Sequence, residues 1–342
     1  MHQELRLQKD YLQKQKIDTI YFGGGTPSVV GAAEIQKLVD TISSLHHVDA
    51  NAEITLEANP DDLDTAAVKL LRQTQVNRFS IGIQSFYEED LLWMNRAHNA
   101  QEAEAAIKRV QDAGFENITA DLIYGYPLLT DTKWKSNVQH IIEYGIPHVS
   151  AYSMTVEPRT ALAHFIKSGK QPSMNDSQSA EQFVVLIEML TAAGYEHYEI
   201  SNFAKPGCHS RHNSNYWKGV SYLGIGPSAH SFNQETRQWN IANNVKYIET
   251  ITDNRIPAET ELLSTSDRFN EYIMTTLRTA WGVDLNKIES DYGSDYKNLL
   301  QQNLKEFTDK GWILTTENIV TLSKEGKLFA DHIAAELFIN ET

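Results

Sequence analysis

The sequence predicts an α/β fold: a partial (β/α)6 TIM-like barrel, its first strand missing, followed by a small helical, winged-helix-like domain. Three observations carry this. Short apolar runs of strand type alternate with helix-period segments through the first two hundred residues. Several helical segments stop at glycines, namely Gly114, Gly145 and Gly194. Strands that recur with one helix between them call for right-handed parallel crossovers. A doubly wound sheet is the alternative.

Taken in order, the chain opens with a helix-like segment from Glu4 to Gln15, with no strand ahead of it. Strands follow at "TIYF" (19–22), "EITLE" (53–57), "RFSIGI" (78–83), "ITADLIYG" (118–125), "HVSAYSM" (148–154) and "HYEIS" (197–201). Helical segments such as "AAEIQKLVDTISSL", "QEAEAAIKRVQDAG" and "AEQFVVLIEMLTAAG" lie between them. Beyond Tyr198 the pattern gives way to a long turn-rich stretch ending near Asn240. From Ser264 the sequence is helical again, then reads as two short strands around "TTEN" and a last helix. The expected domains are a barrel over 1–205, a loop-rich extension over 206–260 and a winged-helix-like domain over 261–342.

Composition narrows the function classes. At 342 residues the chain can bury a large core, and 41% hydrophobic with 22% charged residues is ordinary for a globular protein. A net charge of −15 argues against a broad nucleic-acid footprint. The 261–342 segment repeats that balance, with 8 Lys and Arg against 14 Asp and Glu, so groove binding to DNA is not expected. No apolar run is long enough to span a bilayer, and the N-terminus shows no signal peptide, so a cytoplasmic location is expected. The single cysteine, Cys208, excludes an internal disulfide and a multi-cysteine metal site made by this chain alone.

In a barrel the chemistry gathers at the C-terminal ends of the strands. Those ends carry Gly23, Gly24, Gly25 and Thr26, then Glu57 with Asn59 and Pro60, then Gln84 with Ser85, then Asp121. Any one of these has an ordinary reading as a turn residue or helix cap; four successive units pointing to one mouth do not. Glycines bring backbone N–H groups close to a carboxylate or phosphate. Glu57 and Asp121 would accept from an ammonium or from sugar hydroxyls. The implied ligand is a zwitterion joined to a nucleoside. Competing glycine motifs are weaker: no Lys stands beside Gly25 for a P-loop, and "GIGPSA" (224–229) lacks a βαβ setting.

The segments "YFGGGTPS", "TLEANP", "SIGIQSF", "MNRAHN", "DLIYGYP" and "HNSNYW…YLGIGPSAHSF" resemble the oxygen-independent coproporphyrinogen oxidase-like family of radical S-adenosylmethionine (SAM) proteins. Within it they are most similar to the haem-chaperone branch, and the likeness spans nearly the whole chain. The resemblance implies that Gly24, Gly25 and Thr26 hold the amino-acid end of SAM, with Glu57 nearby. It implies that Gln84, Arg96 and Asp121 line the rest of the nucleoside site. It also implies a [4Fe–4S] cluster on a Cys-x-x-x-Cys-x-x-Cys loop, a motif that this sequence lacks. The missing motif and the unpaired first helix together read as truncation, so the chain as given is expected not to cleave SAM reductively. A freed sheet edge leaves self-pairing into a homodimer open.

"HNSNYW" marks the chaperone branch and implies haem binding by His212, Asn213, Tyr216 and Trp217. His212 offers an imidazole to iron, and Tyr216 and Trp217 offer ring faces to a porphyrin. The plainer alternative has the two aromatics packing a loop while His212 caps a turn. His209, His230 and Cys208 are nearby substitutes as ligands; His46 and His47 fall near a helix end and read as solvated. Three functions therefore compete: a haem chaperone serving a haem-acceptor protein, a SAM-dependent coproporphyrinogen oxidase-like oxidoreductase, and a non-catalytic scaffold. "HNSNYW" favours the first.

Overall fold

The computed structural model describes residues 1–339. In chain order its elements are α1 (His2–Leu7), β1 (Ile17–Phe22), α2 (Ala32–Leu45), β2 (Val48–Ala58), α3 (Thr65–Leu71), β3 (Arg78–Gln84), α4 (Glu88–Trp93), α5 (Ala100–Asp112), β4 (Ile118–Tyr124), α6 (Asp131–Glu143), β5 (His148–Ser153), α7 (Ala161–Lys167), α8 (Asp176–Ala192), β6 (Glu196–Glu199) and β7 (Asn202–Ala204). They continue with α9 (Arg211–Trp217), β8 (His230–Phe232), β9 (Thr236–Asn240), α10 (Asn244–Thr252), β10 (Ala258–Leu262), α11 (Thr265–Leu277), β11 (Val283–Asp284), α12 (Leu285–Tyr292), α13 (Ser294–Asp309), β12 (Ile313–Thr316), β13 (Ile319–Leu322) and α14 (Ala330–Glu336). Two compact units share the chain. One takes Ile20–Ile35 and Glu53–Ser210; the other takes Met1–Thr19, Gln36–Ala52 and the chain from Arg211 onward.

A seven-stranded sheet runs in the order β1-β2-β3-β4-β5-β7-β6 and stays open, with β1 and β6 at its edges. Strands β2 to β5 are parallel, each joined to the next through helix. This is the partial, TIM-like barrel expected from the alternating pattern. The expected sixth unit differs. "HYEIS" turns back as an antiparallel hairpin in which β7 pairs with both β5 and β6. Only Ile200 and Ser201 connect β6 to β7, too few for the crossover that a parallel pair needs.

Residue parity divides this sheet into an apolar and a polar face. Phe79, Ile81 and Ile83 of β3 and Ala120, Leu122 and Tyr124 of β4 are all buried toward the helices. Phe79 meets Phe115 edge-on at 4.7 Å; Tyr124 packs on Trp134 of α6 at 5.4 Å and on Phe183 of α8 at 6.3 Å. Each such side chain contributes about 1.5–3 kcal/mol when fully buried. The opposite parity carries Arg78, Ser80, Gly82 and Gln84 on β3, and Thr119 and Asp121 on β4. The helices begin on side-chain caps, a reciprocal Asn99/Glu102 box for α5, Thr130 for α6 and Asn175 for α8. They end just before Gly114, Gly145 and Gly194, as read from the sequence.

In the other unit the opening helix is shorter than expected. α1 stops at Leu7 instead of reaching Gln15, because Gln13 and Lys14 take φ of 49° and 65°, outside any right-handed helix. The Gln8 amide is also drawn sideways, its Nε2 donating to Glu4 Oε1 at 3.1 Å and its Oε1 accepting from Gln238 Nε2 at 2.8 Å. The stretch after Tyr198 is not structureless. It holds α9 and the strands β8 and β9, which with β10 form an antiparallel sheet in the order β10-β9-β8. The C-terminal part is winged-helix-like: α11 to α13, then the β12–β13 hairpin over "TTEN", with β11 as a third strand. Among the described residues no helix is long and apolar enough to cross a membrane.

Glu4 fastens α1 within this unit. Its carboxylate is fully buried and accepts from Gln8 Nε2, from the Gly226 N–H at 2.9 Å, from Asn240 Nδ2 at 2.5 Å and from the Tyr247 hydroxyl. Removing it strands four buried donors, each worth about 1–3 kcal/mol when left unpaired. Glu4→Ala is therefore expected to lower the urea midpoint of this unit strongly, by about 3 kcal/mol or more in stability, while Glu4→Gln recovers part of the loss. An alanine variant with the parent's midpoint would show that water replaces the carboxylate at no cost.

Candidate functional site

Two sets of residues stand out, one in each unit. The first begins where β1 ends. Gly23 is needed for space: a Cβ there would lie 2.5 Å from the Tyr21 ring and 2.9 Å from Glu57 Oε1. Gly24 and Gly25 are needed for conformation, with φ of 75° and 105° and open space around them. Thr26 follows, its Oγ1 accepting from Asn59 Nδ2 at 3.4 Å. Glu57, next to last on β2, accepts from the Tyr21 hydroxyl at 2.5 Å.

A second group converges over Gly82. Here a Cβ would meet Gln84 Nε2 at 2.9 Å, Arg96 Nη2 at 3.2 Å and Asn59 Oδ1 at 3.6 Å. Arg96 Nη2 donates to Asn59 Oδ1 at 2.6 Å, while its Nε is shielded and has no hydrogen-bond partner. Gln84 ends β3 at φ 64°, a left-handed conformation that costs a non-glycine residue free energy, and the β3–β4 register shifts beside it. A buried polar cluster holds that turn. The Ser85 hydroxyl donates to Asp90 Oδ2 at 2.9 Å, as does the Tyr126 hydroxyl at 2.8 Å, and Lys133 Nζ reaches Asp90 Oδ1 at 2.9 Å. Asn137 completes it, accepting from the Phe86 N–H at 2.9 Å and donating to Ser85 Oγ at 3.1 Å.

Asp121 lies in mid-strand on β4 and not at the strand end where the sequence reading put it. Ser80, the register partner of Glu57, donates to both of its oxygens at 3.2–3.3 Å. Asp121 keeps some accessible surface, yet its carboxyl is crowded by protein. Loss of water, then the charge of Glu57, pushes its pKa up to about 7, against the pull of Ser80, Arg78 and Ser150. Burial likewise pushes the Tyr21 phenol far up, so it remains the donor to Glu57. Beneath them Arg78 is buried against Thr119 Oγ1 (2.5 Å) and Glu53 Oε2 (3.8 Å). Thr119 Oγ1 lies 3.1 Å from His148 Nδ1, and His148 Nε2 lies 2.6 Å from the Tyr198 hydroxyl. Burial, reinforced by Arg78, holds the His148 pKa well down.

The structure thus links Gly23, Thr26, Glu57, Gln84, Arg96 and Asp121 through direct or one-residue contacts within one unit. Sequence reasoning missed Tyr21, Ser80 and Arg78. The signal for Ser80 was its parity with Gly82 and Gln84; nothing local announces that Tyr21 reaches Glu57.

The second set lies in the other unit. "HNSNYW" is helix, α9, and not a loop. His212 Nδ1 is 2.9 Å from Thr19 Oγ1, and its Nε2 is 3.2 Å from the Tyr216 hydroxyl, one turn along the helix. The two rings meet edge-on at 5.0 Å. Tyr216 is 39% exposed along its ring, but burial of its phenol end raises the pKa and keeps it neutral. Asn213 is half-buried beside them. The Trp217 Nε1–H is buried without a hydrogen-bond partner. Of the substitutes, His209 stacks on Tyr198 at 4.1 Å and pairs with Glu196 at 2.7 Å, His230 is exposed at the start of β8, and Cys208 is half-buried and free. His46 and His47 directly follow α2, and burial lowers the His46 pKa.

The Asp121 shift has a pH consequence. Because its folded pKa exceeds the unfolded value, the folded chain keeps a proton between about pH 4 and 7 that the unfolded chain releases. Stability from this source is complete below about pH 4 and is lost as the pH rises through 7. Asp121→Asn is expected to gain thermal midpoint over the parent at pH 8 relative to pH 5. An equal difference at both pH values would contradict the raised pKa.

A family model for the Radical SAM superfamily matches residues 2–141, and one for the HemN C-terminal domain matches residues 263–329. The chain is 32% identical over 319 residues to the heme chaperone HemW of Bacillus subtilis (strain 168), covering 93% of this chain and 84% of that one. It is 31% identical over 343 residues to the heme chaperone HemW of Escherichia coli (strain K12), covering 97% and 86%. Among solved structures, coproporphyrinogen III oxidase (HemN) from Escherichia coli, a radical SAM enzyme, superposes with a TM-score of 0.84. That match has 22% identity and covers 98% of this chain and 81% of that one, a likeness of fold. On identity and coverage together, the chain belongs to the HemW family of the radical SAM superfamily.

Proposed function

We propose that this chain is a haem-binding chaperone that passes haem to an acceptor protein. The observation that carries the reading is the setting of His212. With Nδ1–H donating to Thr19 Oγ1, Nε2 keeps the lone pair that a metal needs, turned toward the Tyr216 hydroxyl at 3.2 Å. A bound haem would supply an iron that takes an axial nitrogen. One imidazole on a surface helix suits a carrier, since a ligand that must be released cannot be walled in. The names of the relatives, heme chaperones at 31–32% identity, support the same reading.

The other set fits SAM. The backbone around Gly24 and Gly25 would face its carboxylate, Glu57 its ammonium, and Gln84, Arg96 and Asp121 the nucleoside; the unpartnered Arg96 Nε seeks an acceptor there. SAM would bring a sulfonium whose bond can be broken by one electron. The residues present do not fit a [4Fe–4S] cluster, which needs several cysteine sulfurs: Cys208 is the one cysteine in the sequence. Among the described residues no three His, Cys, Asp or Glu side chains are grouped to hold a metal. No step through that cluster is derived.

Titration with hemin followed by absorbance tests the first reading. His212→Ala is expected to weaken binding and shift the Soret band, Tyr216→Phe to do less, and His209→Ala to match the parent. Unchanged spectra in all three would remove the support given by α9. Calorimetry tests the second: SAM binding is expected to be weak and to weaken further in Glu57→Gln. Tight SAM binding would mean that the side chains alone suffice. Anaerobic reconstitution with iron and sulfide is expected to give no [4Fe–4S] absorbance.

A further inference from the structure

Gln84 is the centre of a tight turn as well as the end of a strand. Across it the Ser85 N–H donates back to the Ile83 carbonyl at 2.8 Å, with Gln84 at φ 64°. A return this short about a residue of positive φ is a γ-turn of the rarer, strained hand. Register with the neighbouring strands stops short of it. The last β2 residue paired with β3 is Ala58, opposite Ile81, and on the β4 side Gly82 and Ile83 share the place opposite Asp121. His98 takes hold of the turn instead. Its Nε2 lies 3.1 Å from the same Ile83 carbonyl, and because a carbonyl only accepts, that nitrogen carries the proton. The His98 ring is 2% exposed, and its Nδ1 is shielded without a hydrogen-bond partner. Burial lowers its pKa and outweighs the pull of the Ile83 carbonyl, so the ring stays neutral. His98 belongs to the connector between α4 and α5, just beyond Arg96. There the Arg96 N–H is fixed to the Leu91 carbonyl at 2.9 Å, and the Asn99 box closes the connector onto α5. One ring thus ties the backbone that aims Gln84 to the backbone that aims Arg96, and those two side chains converge over Gly82.

We propose that His98 is a positioning residue for the nucleoside half of the SAM site, holding the Gln84 turn through the Ile83 carbonyl and keeping the Gln84 amide in step with the Arg96 guanidinium. The inference rests on the SAM reading and adds a residue that acts through others. A neutral imidazole suits the task. Lys or Arg would bring a second charge beside Arg96, and an apolar side chain would take one of the two donors from the Ile83 carbonyl. A histidine that only fills the core would stabilise the fold and leave the ligand affinity of folded molecules unchanged.

Two measurements on the full chain test it. The first needs no ligand. Hydrogen exchange of the Ser85 amide, followed by NMR, is expected to quicken about tenfold or more in His98→Leu, while amides within β5 and α8 keep the parent's protection. The second is calorimetric titration with adenosine, which carries the nucleoside without the amino-acid end. His98→Leu is expected to weaken binding about three- to tenfold. His98→Gln, which keeps an N–H near the place of Nε2, should restore most of the loss. Added to Gln84→Ala, His98→Leu should weaken binding little further, because the amide it positions is already gone. Unchanged Ser85 exchange, or a His98→Leu loss as large without the Gln84 amide as with it, overturns the positioning role while leaving the SAM site in place. A parent that binds neither adenosine nor SAM overturns the SAM reading itself, and Ser85 exchange then still decides whether His98 holds the turn.

Discussion

One buried guanidinium, Arg78, sets the electrical conditions on the polar face of the barrel sheet. It is 1% exposed, it touches Glu53 and Thr119, and its charge acts on Tyr21, Asp121, His148 and Tyr198 alike. A charge so placed costs several kcal/mol unless paired, and Glu53 is its counter-ion. The effects above it follow in sign. Burial and the Glu57 charge push Asp121 up to about 7, while the Ser80 hydrogen bond and then Arg78 draw it down. Arg78 drives His148 further toward the neutral form, which leaves that ring to bridge Thr119 and Tyr198 as an uncharged link.

The rigidity of the site has a different source. Gln84 adopts a conformation that a non-glycine residue leaves unless it is forced, and the forcing comes from below, through Ser85, Asp90, Tyr126, Lys133 and Asn137. Strain on the surface is thereby paid from a buried network. Gly23 and Gly82 act oppositely: they cede volume so that Tyr21, Glu57, Gln84, Arg96 and Asn59 can stand where a Cβ would. Side chains crowd over bare backbone, and the crowding orients them.

Much of this was legible in the sequence. Strand ends, helix stops and the glycine run follow local rules, and each strand-end residue found its place except Asp121, which proved to lie in mid-strand. What the sequence hid was non-local. α1 ends early because Gln8 is drawn to Gln238, a partner 230 residues away. The β6–β7 hairpin looked like another βα unit because "HYEIS" has the composition of a buried strand, and composition carries no direction. "HNSNYW" looked like a loop because His, Asn and Ser are weak helix formers; packing, with Trp217 under Arg278, makes it a helix. Tyr21 escaped notice because an aromatic in a strand is unremarkable until its hydroxyl meets a carboxylate from another strand.

The buried Glu4 carries a consequence for how the chain is made. Its partners at Gly226, Asn240 and Tyr247 lie 222, 236 and 243 residues downstream. A ribosome adding about 5–20 residues per second needs roughly 10–50 seconds to deliver them. Through that interval Glu4 keeps its carboxylate in water, and Leu5 and Leu12, buried in the finished unit, stay uncovered. The unit assembled from Ile20–Ile35 and Glu53–Ser210 is complete before then. Synthesis from N- to C-terminus therefore finishes the unit of Ile20–Ile35 and Glu53–Ser210 first, while the Glu4 segment waits unpaired for partners made more than two hundred residues later.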